Sequence, residues 1–70
     1  MVNQMVLSRE IEWIGYEHTK KMLQVEFIAG SIYQYQNVPE KVYQDFLSAL
    51  SHGRFFEGEI KGKYPYRKIR

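Results

Sequence analysis

The chain of 70 residues contains no cysteine, two prolines and two histidines. The absence of cysteine excludes disulfides and thiolate metal sites, and two isolated histidines are a poor basis for a metal site of another kind. No hydrophobic run approaches the roughly 20 residues of a membrane span, and the N-terminal residues lack the basic and apolar regions of a signal peptide. We therefore expect a cytoplasmic protein with no cofactor and no membrane association.

Aromatic residues are abundant by contrast, at 16% of the chain, with six Tyr, four Phe and one Trp. A hydrophobic share of 44% and a charged share of 26% are typical of a folded globular domain. A single domain of this length buries only about 60% of its surface on folding. Self-association would add burial, so a homo-oligomer remains one of the expected forms.

The net charge of +2 conceals a strong asymmetry along the chain. Residues 1–60 carry five Lys or Arg against eight Asp or Glu, a net charge of −3. Residues 61–70 carry five Lys or Arg and no acid, a net charge of +5, and they include Tyr64 and Tyr66. A mildly acidic body thus precedes a basic end that contains aromatic side chains.

Three segments, at about 10–18, 22–28 and 31–38, have the apolar alternation of β-strands. Short polar or glycine-containing turns separate them, which predicts an antiparallel meander. Trp13 is expected in the core or at an interface. Residues 1–7 show no such pattern and are expected to be flexible.

The turn between the second and third strands leaves two arrangements open. A two-residue loop, Ala29-Gly30, would place Tyr33 and Tyr35 on the sheet face opposite Phe27, where they could stack bases of single-stranded nucleic acid. A three-residue loop over 29–31 would place all three rings on one face, with the tyrosines in the core.

The hydrophobic period changes after residue 37 to that of helices. Pro39 and Glu40 are typical of a helix start, and Val42 and Phe46 begin an apolar stripe that continues to Leu50. A second short helix is predicted at about 51–61, where Phe56 and Ile60 lie one turn apart and Gly62 suits the end. The predicted fold class is α+β, a three-stranded antiparallel β-meander followed by two short α-helices packed on one face.

An ordered set of short motifs resembles the KTSC domain, a module found at the C-terminus of some lysyl-tRNA synthetases and alone in small bacterial and phage proteins. The set comprises Ile14-Gly15-Tyr16, residues 23–27, Gly30, Tyr33-Gln34-Tyr35, Val38-Pro39 with Tyr43, residues 51–56 and Ile60-Lys61 with Tyr64. The resemblance covers residues 8–66 and leaves 67–70, the last four residues of the basic end, as a basic C-terminal extension. It implies the fold more than an activity, although RNA binding has been suggested for the family. Glu57 departs from the pattern, because an Asn commonly follows the aromatic pair.

The segment Ser51-His52-Gly53-Arg54-Phe55 is a candidate anion site. Amide groups at a helix start, a glycine that permits close approach and the Arg54 guanidinium would suit a phosphate. Alternatively, Ser51 simply caps the helix and Arg54 is a surface charge.

The basic end offers a second candidate, since lysines and arginines contact phosphates while tyrosines stack on bases. Alternatively it is a solvated terminus, or an arm docked on its own body or on a second copy. No arrangement of nucleophile, base and orienting group is visible, so we do not expect an enzyme.

Together these features predict a non-enzymatic binding domain for RNA or another phosphate-bearing ligand. One alternative is an oligomer that sequesters a small signalling nucleotide, of which a phage-encoded protein would be one version. The other is an accessory module for protein interactions. The candidate binding residues are Tyr33, Tyr35, Ser51, His52, Gly53, Arg54, Phe55, Lys61, Lys63, Tyr64, Tyr66 and Arg67.

Overall fold

A computed structural model describes residues 2–70 of the chain. Five strands form one antiparallel sheet in the order of the sequence: β1 (Val2–Met5), β2 (Ile11–Glu17), β3 (Met22–Phe27), β4 (Ile32–Tyr35) and β5 (Tyr66–Lys68). Between β4 and β5 the chain forms the helices α1 (Glu40–Leu47) and α2 (His52–Phe55), and α2 continues into a π-helical segment, Phe56–Ile60. The α+β class is confirmed.

The prediction of three strands is wrong, because both ends of the chain add a strand to the meander. β1 lies within the segment expected to be flexible and pairs with β2, from Asn3 opposite Gly15 to Met5 opposite Trp13. β5 lies in the basic end and pairs with β4, with Tyr66 opposite Tyr35. Both are edge strands of three or four residues, and so short a segment shows little alternation in the sequence. Met1, also expected to be flexible, lies outside the described residues.

The hairpin between β3 and β4 places both tyrosines on the same face as Phe27. Its loop is 28–30, one residue earlier than the three-residue loop considered above. The Gly30 N–H donates to the Phe27 carbonyl at 2.8 Å, and the Phe27 N–H donates to the Ser31 carbonyl at 2.8 Å. Gly30 adopts φ +105°, a conformation that a side chain would strain. Val25 therefore faces Tyr33, and Leu23 faces Tyr35.

A bulge near the start of β2 changes which side chains share a face. Ile11 is opposite Phe27, but Trp13 is opposite Glu26 because the register shifts between them. Ile11 is therefore buried beneath the helices, whereas Trp13 points to the other side of the sheet. Without the bulge, the alternation of side chains would have placed Ile11 and Trp13 on the same face of the sheet.

The core lies between the helices and one face of the sheet, which we call the inner face. Fully buried Ile14, Leu23 and Val25 pack there against Phe46 of α1 and Ile60 of the π-helical segment. The predicted stripe of α1 is correct at Phe46 but ends early, since Leu50 lies beyond the helix and is exposed. Of the helices within residues 2–70, none is long and apolar enough to cross a membrane.

Candidate ligand-binding cleft

Aromatic side chains from four elements line a cleft of about 670 Å³ at one end of the inner face. The rings belong to Phe27 of β3, Tyr33 and Tyr35 of β4, Phe56 of the π-helical segment and Tyr66 of β5. We call this site the aromatic cleft. Its volume lies in the range of small-molecule sites, which are concave and largely apolar.

The strand register brings these rings together. Tyr35 and Tyr66 are cross-strand partners with ring centroids 5.6 Å apart, and the ring of Tyr33 lies 5.7 Å from that of Tyr66. Phe27 contacts Phe56 edge to face at 5.4 Å, which fixes the helical wall against the sheet. Tyr35 is only 3% exposed, whereas Tyr66 is 60% exposed. The cleft thus has a buried aromatic floor and an accessible ring at its mouth.

Charges of both signs surround the cleft. Arg9 and Glu10 precede β2, while Glu57 and Lys61 lie on and just after the π-helical segment. The Lys61 ammonium and the Glu57 carboxylate form an ion pair at 3.7 Å. The rim itself is therefore nearly balanced in charge.

Burial, with smaller contributions from Tyr33, Tyr66 and Glu57, raises the pKa of Tyr35 to about 12. The Tyr35 hydroxyl therefore stays protonated to higher pH than an ordinary tyrosine, and in that form it is a hydrogen-bond donor.

The predicted helix-start residues lie in an adjacent cleft of about 680 Å³, lined by Ser51 to Arg54 and by residues 7–10. Ser51 caps α2, since its hydroxyl oxygen accepts a hydrogen bond from the Arg54 N–H at 3.3 Å. His52 contacts the Leu47 carbonyl through Nε2 at 3.3 Å, which links α2 to the end of α1. The Ser51 oxygen and the His52 ring thus both have structural partners.

The remaining predicted residues line neither cleft. Phe55 stacks on Phe46 at 5.2 Å, and Tyr64 packs partly buried against the core. Lys63 is exposed, and Arg67 lies opposite Gln34, on the sheet face away from the helices. Tyr33, Tyr35, Lys61 and Tyr66 are therefore the predicted residues that the aromatic cleft brings together.

Arg9 and Glu10 line both clefts but were absent from the predicted set. They lie in an irregular loop whose Ser8 hydroxyl accepts hydrogen bonds from the Glu10 and Ile11 N–H groups. Such a loop has no period that would reveal its neighbours. No group of three or more His, Asp or Glu able to hold a metal ion occurs in the part of the chain that the structure describes.

Comparison with known proteins identifies the family. The sequence profile of the KTSC domain matches residues 7–64, which is most of the chain. The chain belongs to the KTSC domain family.

Its relatives include both small proteins and a larger enzyme. A KTSC domain protein from Yersinia pestis, known from a crystal structure, is 48% identical, with a TM-score of 0.92 and coverage of 99% of this chain and 97% of that one. A protein from Tsukamurella paurometabola is 39% identical over 61 residues, covering 87% of this chain and 91% of the relative. A lysine–tRNA ligase from Nostoc punctiforme is 37% identical over 59 residues, covering 84% of this chain but 10% of the enzyme.

Proposed function

We propose that this KTSC domain is a non-enzymatic RNA-binding module, in which the aromatic cleft takes an unpaired base and the basic end contacts the adjoining phosphates. The observation that carries the proposal is the pairing of β4 with β5. It sets the exposed ring of Tyr66 beside Tyr33, and Tyr33 has Lys68 as its cross-strand partner. A stacking surface and a cation thus adjoin on one face of the sheet, the combination that single-stranded nucleic acid requires.

The cations of the basic end are suited to phosphate contacts. Within residues 2–70, Lys61 forms an ion pair with the Glu57 carboxylate. Lys63 and Lys68 are exposed and form no ion pair with a described carboxylate. The Arg70 side chain donates to the Gly30 carbonyl at 3.3 Å, beside the loop that lines the cleft. Because the rim is nearly balanced in charge, we expect the phosphates to follow Lys68 and Arg70.

Two further observations favour RNA binding without catalysis. One relative is a lysine–tRNA ligase, an enzyme named for a transfer RNA. Ser31 and the carboxylates of Glu10 and Glu57 line the cleft, together with tyrosines but no histidine. Within the described residues no hydrogen bond joins Ser31 to either carboxylate, so the cleft lacks the linked nucleophile and base of a catalytic site.

Fluorescence anisotropy with a labelled single-stranded RNA of about eight nucleotides tests the proposal, with salt raised from about 50 to 200 mM. Tyr66→Ala should weaken binding roughly 5- to 150-fold, as expected for the loss of one stacked base at about 1–3 kcal/mol. Tyr66→Phe should retain most of the affinity, since the ring remains.

Lys68→Ala should weaken binding and reduce its salt dependence. The matched control is Lys41→Ala, which removes an exposed lysine of α1 whose ammonium pairs with the Asp45 carboxylate at 3.2 Å. Absence of binding by the wild type at several hundred micromolar and low salt would contradict the proposal. An equal loss in the Lys41 and Lys68 variants would contradict the assignment of the site.

A further inference from the structure

The most buried ring of the aromatic cleft carries a hydroxyl for which the described residues provide no hydrogen-bond partner. Tyr35 is only 3% exposed, and no group within residues 2–70 forms a hydrogen bond with its oxygen. That oxygen is not sealed inside the core, because every fully buried side-chain nitrogen or oxygen of those residues has a partner. The Tyr35 hydroxyl is therefore accessible from the cleft that its side chain lines.

The wall of the cleft next to this hydroxyl carries a carboxylate. The ring of Tyr35 packs edge to face on Phe56 at 5.8 Å, and the next residue of the π-helical segment is Glu57, which also lines the cleft. The charge of Glu57 contributes to the raised pKa of Tyr35, as expected for an anion near a phenol. The cleft thus combines a hydrogen-bond donor with a neighbouring carboxylate acceptor.

The Glu57 carboxylate keeps its capacity to accept hydrogen bonds. Among residues 2–70 it pairs with the Lys61 ammonium at 3.7 Å, which is an ion pair but longer than a hydrogen bond. The Glu57 side chain is 56% exposed, so a ligand can approach it. Two parallel hydrogen bonds to one carboxylate require two adjacent donors on the ligand.

Of the RNA bases, guanine alone offers such a pair of donors. Its Watson–Crick edge carries the N1–H and N2–H₂ groups side by side, and the O6 acceptor lies next to N1. Adenine and cytosine each present one amino group beside an accepting ring nitrogen, and uracil presents one N–H between two carbonyls. A carboxylate beside a hydroxyl donor therefore matches the edge of guanine better than that of any other base.

We propose that the aromatic cleft selects guanine, with Glu57 accepting hydrogen bonds from N1–H and N2–H₂ and the Tyr35 hydroxyl donating to O6. This inference rests on the proposed function, since it names the base that the stacked rings would hold. Tyr33 and Tyr66 offer faces on which any base can stack. The selection comes from the hydrogen bonds at the edge of the base.

Two labelled single-stranded RNAs of about eight nucleotides test this specificity by fluorescence anisotropy. Both consist of uridine except for one central purine, which is guanosine in one RNA and adenosine in the other. The wild type should bind the guanosine RNA roughly 5- to 150-fold more tightly, the discrimination that one bidentate pair provides. The readout is the ratio of the two dissociation constants, because a change in the charge of the protein affects both RNAs alike.

Glu57→Gln should bring this ratio close to one, since the amide replaces one of the two accepting oxygens by a donor. Tyr35→Phe should lower the ratio roughly 2- to 10-fold, as expected for one hydrogen bond, with circular dichroism unchanged. Glu59→Gln is the matched control, because it removes the same charge from the same segment at an exposed position that lines neither cleft. It should keep the wild-type ratio.

The outcomes separate the choice of base from RNA binding itself. Equal affinities of the wild type for the two RNAs, or a ratio that Glu57→Gln leaves unchanged, would overturn the selection of guanine while RNA binding stands. A ratio lost equally in the Glu57 and Glu59 variants would overturn the assignment of Glu57. Absence of binding to both RNAs would overturn the proposed function and this inference with it.

Discussion

The buried hydroxyl of Tyr16 joins the sheet to the segment that starts α1. It donates a hydrogen bond to the Val38 carbonyl at 2.5 Å, while the Val38 N–H donates to the Lys21 carbonyl at 2.9 Å. Val38 is fully buried, and the Tyr16 ring stacks on Tyr43 at 5.0 Å. Tyr16→Phe would keep the ring and remove only the donor.

This substitution should leave a buried carbonyl without a partner, at a cost of about 1–3 kcal/mol in the free energy of unfolding. A domain of this size loses roughly 4–8 °C in Tm for each kcal/mol. Urea unfolding should therefore show a lower midpoint with an unchanged m-value, since the surface exposed on unfolding does not change.

Tyr66→Phe is the matched control, because it deletes a hydroxyl from a ring that is 60% exposed. Its free energy of unfolding should stay within about 0.5 kcal/mol of the wild type. If the two variants unfold at the same urea concentration, the Tyr16 hydroxyl does not stabilise the domain, and the reasoning is refuted.

Two further predictions concern the tyrosine pKa and backbone conformation. Since folding raises the pKa of Tyr35 from 10.0 to about 12, the stability it contributes is intact below pH 10 and is lost as pH rises from there towards 12. In urea unfolding at stepped pH, Tyr35→Phe should lose less stability than the wild type across that interval, and an unchanged slope would contradict this. Gly30→Ala should destabilise by about 1–2 kcal/mol because Gly30 has φ +105°. Gly53→Ala, in open space within α2, should raise the free energy of unfolding by up to about 1 kcal/mol. If the Gly30 and Gly53 variants change the free energy of unfolding in the same direction, the backbone strain assigned to position 30 is disproved.

The central parts of the fold were predictable because their signals are local. The alternation of Leu23, Val25 and Phe27 identifies a strand, and the spacing of Val42 and Phe46 identifies a helix face. Positive φ at Gly30 and Gly62 follows the turn signals. Neither edge strand was predicted, because each depends on a neighbour supplied by the rest of the sheet.

Side-chain placement was harder to predict wherever one residue changed the register. The bulge between Ile11 and Trp13 reverses the alternation of β2, and no residue type there demands it. Of the two loops that the sequence left open, the structure has three residues, although at 28–30 and not at 29–31. The three-residue length puts Tyr33 and Tyr35 on the same face as Phe27. Such shifts depend on tertiary packing rather than on local propensity.

The residues of the candidate site were only partly predictable, because tertiary packing and not local sequence decides which side chains meet. Residue type indicates Tyr33, Tyr35 and Tyr66, and these converge because β5 folds back beside β4. Lys61, indicated by its charge, reaches the cleft from the end of the π-helical segment. Phe55 was also a candidate but packs on Phe46. Residue type therefore identified candidates, and topology separated those that share a cleft from those that do not.

The most direct test of the proposed RNA site is a titration of the ¹⁵N-labelled domain with single-stranded RNA, followed by NMR. The account predicts the largest chemical-shift changes at Tyr33, Tyr66 and Lys68, with small changes at Lys41 and across the sheet face opposite the helices. Shifts centred on Gln24 and Trp13, or no shifts at millimolar RNA and low salt, would contradict the assignment of the aromatic cleft as an RNA site.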